Sequence, residues 1–333
     1  MLQGSERMNR SLPIRSPWAG VWGVALLLGA LLVPWGGGAW AQEERVAVIH
    51  SSRIASYEAA LAGFLSVARQ PPLRIEFSSE SERDAIVRRI RKRPVAVVVT
   101  IGVKAARFAR KAFPEIPMVF CMIRDPQRYG LLMPGVTGVL LEIPVQKQLE
   151  VMRALFPEKR RIGAIYNPKN SRTLVHAAAG YARISGFEFV GVKVDRKEEV
   201  PRILRIFPPI DLFWLVKDST VIHPAAFEAI EAYMRKHRIP MMASSADLVP
   251  YGAAMALSFD YTGIGEQTYR IVETLLSGRK GIDEIPVEDP RDLVVVCNRK
   301  VLSTLVPEDF EARLHALQEK SGFRIEWYEA GGG

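Results

Sequence analysis

Cysteine is scarce. The 333-residue chain has two, Cys121 and Cys297, too few for a disulfide framework and, alone, for a structural zinc site. The signatures of common enzyme chemistries are missing as well. There is no Gly-x-Ser-x-Gly elbow, no P-loop, no His-Glu-x-x-His and no Cys-x-x-Cys. Gly263-Ile-Gly265 opens a helical pattern but lacks a complete G-x-G-x-x-G and the βαβ unit that should follow. A thiol–imidazole pair of Cys121 with His50 is conceivable, yet both lie at strand ends, where a buried thiol and a satisfied imidazole are the ordinary reading. No enzyme and no cofactor is therefore expected, and no metal site. What remains is a chain 48% hydrophobic and 24% charged with 25 Gly and 22 Pro, a composition that excludes disorder and collagen-like repeats.

The apolar run Ala19–Val33 is about 15 residues, short of the roughly 20 that span a bilayer. It follows Arg7, Arg10 and Arg15 and precedes a Pro/Gly break and Ala39-Trp40-Ala41. These are the three regions of a secretory signal peptide over residues 1–41. Cleavage after Ala41 and a periplasmic location are expected, with a retained N-terminal anchor as the alternative. Lipid anchoring is not expected, because no Cys follows the cleavage point. Without the leader the chain keeps 42 Lys and Arg against 35 Asp and Glu, about +7.

Beyond residue 45, short continuous apolar runs alternate with helical periodicity. Val46–His50, Leu73–Phe77, Val95–Thr100 and Met118–Met122 read as strands, and the pattern restarts after Gly135–Leu140. A second series holds Arg161–Tyr166, Phe187–Val194, Asp211–Val216, Pro240–Ala243, Ala253–Phe259 and Val294–Cys297. The intervening segments have apolar residues at helix spacing, the last of them at Pro307–Leu317. Buried strands separated by helices mean parallel sheets covered on both faces. The expected fold is α/β, two doubly wound parallel-sheet lobes joined by a hinge of more than one crossing. Residues 45–140 with about 261–284 would form the first lobe, and 141–260 with about 285–325 the second. Such lobes present their strand ends to each other across a cleft.

Several segments carry a resemblance over about Arg45–Pro307. They are Arg161-Ile-Gly-Ala-Ile-Tyr-Asn-Pro168, Lys217-Asp-Ser-Thr-Val221, Ile239-Pro-Met-Met-Ala-Ser-Ser-Ala-Asp-Leu-Val249 and Gly252–Asp260 with Tyr261-Thr-Gly-Ile-Gly-Glu-Gln-Thr268. The chain resembles the substrate-binding proteins of ABC transporters, in the type I periplasmic-binding branch that includes tryptophan- and tyrosine-binding members. It departs from that pattern at His50–Ser56 and at Asp218-Ser219-Thr220, where relatives commonly carry Asp-Asn-Thr. The resemblance implies a monomeric solute-binding protein that delivers a small ligand to an ABC permease with its cytoplasmic ATPase. The alternative is a ligand-sensing module contacting a membrane receptor kinase.

The strand-end loops supply the candidate contacts: Ser51, Ser52, Thr100, Gly102 and Asp125 in the first lobe, with Tyr57 as a cleft aromatic. In the second lobe they are Asn167, Ser171, Asp218, Ser219, Thr220, Ser245, Asp247, Asp260 and Tyr261. Hydroxyls and helix N-termini suit a carboxylate, and Asp218 or Asp247 suits an ammonium, so a small polar or zwitterionic ligand, an amino acid among them, is expected. Trp214 is expected in the core. Cys121 and Cys297 are expected as separate buried thiols. Arg88–Arg93, the one dense basic run, lacks interleaved aromatics, so it reads as a solvated helix end and no nucleic-acid partner is expected.

Overall fold

The computed structural model describes residues 45–329; the expected signal peptide lies outside them. The first sheet contains β1 (Val46–His50), β2 (Leu73–Glu76), β3 (Val97–Ile101), β4 (Met118–Ile123) and β5 (Val136–Leu140), in the spatial order β2-β1-β3-β4-β5, all parallel. Helices α1 (Ala55–Val67), α2 (Arg83–Arg91) and α3 (Val103–Ala112) connect β1 to β4. The strands are apolar without alternation because both faces are covered. Val98 and Phe120 pack with Ile86, Ile90 and Phe108 of α2 and α3, whereas Val97, Val99 and Val119 pack with Phe64 of α1 on the other face.

The second sheet is larger. It is built from β6 (Arg161–Tyr166), β7 (Glu188–Lys193), β8 (Leu212–Leu215), β9 (Met241–Ala243), β10 (Met255–Phe259), β11 (Leu293–Asn298) and β12 (Arg324–Tyr328). The spatial order is β12-β11-β10-β9-β8-β6-β7, parallel except where β10 meets β11. Helices α4 (Val145–Leu155) and α5 (Pro168–Ile184) cover one face, and α6 (Val200–Arg205) and α7 (Pro224–Lys236) the other. Phe213 and Trp214, adjacent on β8, face opposite layers.

Three crossings join the sheets. The first runs from β5 into α4. The second runs from β10 into α8 (Tyr261–Leu276), which packs back on α1 in the core of the first sheet. The third comes later than the expected boundary near 284. Ile285 is still buried in the first core, and Glu288 pairs beside β5, its N–H donating to Gly138 and its carbonyl accepting from Leu140, 2.9 Å each. The chain then enters β11.

Element limits differ from expectation where local chemistry overrides periodicity. The helical periodicity covers Ser171–Ser185, but α5 starts at Pro168, because Asn167 caps it, accepting from the Lys169 N–H at 3.0 Å, and Pro suits the first helical position. Two elements were not expected: α9 (Arg299–Leu305) and β12. Asn298 starts α9 by accepting from the Val301 N–H. The last helix, α10 (Phe310–Ser321), ends at left-handed Gly322, and β12 then adds a half-exposed edge.

Candidate functional site

In open α/β sheets the connection reverses direction at one pair of strands, and the loops after that pair meet. Here the pairs are β1/β3 and β6/β8. At the first, the Ser51 hydroxyl donates to the Ile101 carbonyl at 3.1 Å and accepts from the Ala105 N–H at 2.9 Å. Ser51 thus closes the N-terminus of α3 instead of leaving it open. Gly102, at φ 89, starts α3, and a Cβ there would lie 2.6 Å from the Tyr57 ring. Tyr57 and Gly102 are therefore packed on each other.

At the second pair, Asp218 is fully buried. Its carboxylate accepts from the Asn167 N–H at 2.7 Å, the Asn170 amide at 2.9 Å and the Thr220 N–H at 2.9 Å. Asn167 extends the network, its amide donating to the Asp195 carbonyl at 2.9 Å and the Thr220 hydroxyl at 3.1 Å. The sequence offers Asp218 as a grip for a ligand's ammonium; in the fold three donors of the chain itself reach its carboxylate. Its oxygens already hold the strand-end loops together. Asn167, Thr220 and Asp218 form the frame of the site, and Ser171 is buried on the first turn of α5 behind them.

That frame presents a cavity of about 610 Å³ between the two sheets. Its floor is apolar, made by Trp214, Leu257, Phe259 and Leu174, and its rim is charged. Trp214 is 1% exposed. Its indole N–H donates to the Gln148 side-chain oxygen at 2.9 Å, and Gln148 in turn donates to the Ile143 carbonyl at 3.0 Å. The expected core tryptophan is thus also the base of the cavity, fixed to the first crossing. Lys169, Asn170, Lys217 and Ser219 reach the rim from α5 and the loop after β8, and Arg124 and Glu142 reach it from the other side.

Arg124 lies between two strained residues. The β4–β5 register shifts between Phe120 and Ile123, and Met122 and Asp125 both have left-handed backbones, φ 60 and 51. Such residues cost of order 1–3 kcal/mol each and cluster where a side chain must be directed. The charges register on each other across the cleft. Lys217 is pushed below its ordinary pKa, first by burial and then by Arg124, with Asp247 opposing. Tyr261 is pushed up by burial and then by Asp247, with Arg124 opposing. Arg124, Lys217, Asp247 and Tyr261 therefore share one field, although Arg124 comes from the first sheet and Lys217 and Asp247 from the second.

Other expected residues fall elsewhere. Asp260 caps α8, accepting from the Gly263 N–H at 3.1 Å, and pairs with Arg324 at 3.1 Å on the far side of β10. Asp125 is exposed and caps the 3-10 turn Pro126–Tyr129. Ser245 donates to Asp247 at 3.1 Å. Ser52 is half-buried in the loop after β1. Thr100 is completely buried, its hydroxyl unpaired. Ser244 lines the cavity with a buried hydroxyl that has no partner in the chain. Of the adjacent pair Ser244 and Ser245, the sequence does not show which turns inward. Cys121 and Cys297 are both free and buried in different sheets, and burial pushes each thiol up to about 12. Neither presents a thiolate to His50 or to a substrate.

Two doubly wound sheets with a charged cleft between their strand ends and three crossings define a two-lobed binding protein of the type I periplasmic fold. The chain belongs to the ABC transporter substrate binding protein family, whose model matches residues 76–309. Members of that family bind substrates and are not enzymes. A tyrosine-binding protein of Clostridioides difficile is 26% identical over 218 residues, which cover 63% of this chain and 62% of that protein. The chain thus spans less than two thirds of that relative's length. The fold is similar to the ligand-free, open structure of a substrate binding protein with adhesive properties from Clostridium difficile. The TM-score is 0.68 at 19% identity, over 86% of this chain and 99% of the other. A conserved domain protein from Vibrio cholerae aligns with TM-score 0.51 at 24% identity, over 80% and 97%. Substrate-binding proteins of ABC systems work outside the cytoplasm. Among the described residues no helix is long and apolar enough to cross a membrane.

Proposed function

We propose that the chain is the solute-binding component of an ABC uptake system. It closes its lobes on a small carboxylate with an apolar body, an aromatic amino acid foremost, and presents it to a permease. The observation that carries this reading is the rim. Arg124 from one sheet and Lys217 from the other face an apolar floor of Trp214, Leu257 and Phe259. A carboxylate lying between two cations gains from both only when the lobes approach, so ligand binding favours the closed state. Asp247 and Glu142 remain for an ammonium. The tyrosine-binding relative supports the same ligand class.

The test is a thermal-shift series on protein stripped of ligand by unfolding and refolding. Tyrosine and tryptophan should raise the midpoint by about 5–10 °C at roughly 100 times the dissociation constant. Their deaminated acids should retain part of the shift, and tyramine and tryptamine should give none, because they lose the group that the cations hold. A response confined to sugars or nucleosides, or none at all, would overturn the reading. Arg124→Ser should weaken the ligand by about ten- to a hundredfold, the worth of a charge-assisted hydrogen bond. Calorimetric titration checks this. The melting point of the free protein should not move, since Arg124 is exposed.

A further inference from the structure

The basic charge of this protein is not spread over it. Residues 83–115 carry ten cations, Arg83, Arg88, Arg89, Arg91, Lys92, Arg93, Lys104, Arg107, Arg110 and Lys111, against Asp84 and Glu115, a balance of +8. The chain without its leader is +7, so the rest of it sums to −1. The folded structure puts these charges on one face. Helices α2 and α3 pack side by side on the outer layer of the first sheet. Arg91 ties their ends together, donating to the Ala112 carbonyl at 3.2 Å and pairing with Glu115 at 3.4 Å.

The helix macrodipole explains cations in a last turn. It does not explain Lys104 and Arg107, which lie in the first half of α3 and are exposed. Nor does it explain the neighbouring apolar loop. Leu132 and Met133 are 51% and 40% exposed, and Arg110 donates to the Met133 sulfur at 3.1 Å. This loop leads into the start of β5, the end of the sheet opposite the cleft. Exposed Leu and Met beside a cationic field of this density are what an anionic bilayer recognises: headgroups meet the cations and the apolar side chains enter the interface.

We propose that the α2–α3 face with the Leu132–Met133 loop docks on an anionic phospholipid surface. The lobe then rests on the membrane through its outer face while the cleft stays free. The proposal is independent of the ligand reading, since no residue in it touches the cavity.

The experiment is sedimentation of the full chain with phosphatidylcholine vesicles, with and without phosphatidylglycerol, at low and high salt. The comparison is with R88S/R89S/K92S/K111S and with L132S/M133S. The leader and its arginines are common to all three proteins, so differences between them report this face. The expected result is preference for the phosphatidylglycerol vesicles, weakening with salt. The quadruple variant should lose it by roughly tenfold or more, and the double variant should lose a part that salt does not change. Unchanged melting points would show that all three are folded. Equal binding to both vesicle types, or a quadruple variant that binds like wild type, would overturn the proposal.

Discussion

Asp218→Ala should melt far below the wild type. The carboxylate is fully buried and accepts from two backbone N–H groups and one side-chain amide. Removing it leaves the Asn167 and Thr220 N–H groups without acceptors in a space that a methyl group does not fill, while the Asn170 amide keeps the Ser219 and Thr220 hydroxyls, 3.2 Å each. Breaking a buried charged network of this kind costs about 3–5 kcal/mol, or roughly 8–15 °C if the lobes unfold together. Asp218→Asn should fall between the two, because its amide nitrogen turns a donor toward one of the same donors. Thermal unfolding without ligand measures this directly. The opposite result is as informative. A variant that melts like wild type but no longer binds would return Asp218 to the role of ligand anchor.

Binding by Asp218→Ala should fail too, but through the frame. Lys217 and Ser219 sit on either side of Asp218 on the cavity rim, and Asn170, which donates to it, is a third rim residue. Asp218 is the buried centre of the network that holds the loop that positions them, with Asn167 and Asn170 bonding Thr220 around it.

The strand ends were legible in the sequence because buried strands in a doubly wound sheet leave continuous apolar runs, and polar residues at their ends mark the loops. Val46–His50 and Arg161–Tyr166 have the expected limits. Which polar residue faces a ligand and which faces the chain was not legible. Ser51 and Asp218 have the residue types of a ligand shell, but their acceptors meet N–H groups about 50 positions away in the chain, and the Asn167 oxygen is taken by the N–H of Lys169. The place of Arg124 on the cavity rim was not legible either. Arg124 follows a register shift at the end of β4, and such a shift between two strands leaves no mark in either one. Edge strand β12 was missed for another reason. It is only half covered, so it has no continuous apolar run.

Gly265→Ala should be the other severe substitution, although it adds only a methyl group to a helix. A Cβ at Gly265 would overlap the Ala60 carbonyl oxygen and lie 2.7 Å from the Phe64 nitrogen, both backbone atoms of α1. Gly63 on α1 meets the Thr262 backbone of α8 in the same way. The two helices touch through their main chains, and neither contact can be relieved by a rotamer. Overpacking of this kind costs about 1–3 kcal/mol, and Gly63→Ala should cost as much. Gly180→Ala is the matched control. It lies inside α5 with nothing within 4 Å of the new methyl, so it should stabilise by about 0.5–1 kcal/mol through helix propensity alone. The same substitution should therefore move the melting point in opposite directions at the two sites. The effect should also reach the ligand. Helix α8 starts at Tyr261, two residues after the cavity residue Phe259, so pushing it away from α1 shifts the second crossing and one wall of the cleft. Gly265→Ala should lose affinity as well as stability, whereas Gly180→Ala should bind as wild type does. Equal melting points for Gly265→Ala and wild type would mean that α1 and α8 are not in main-chain contact.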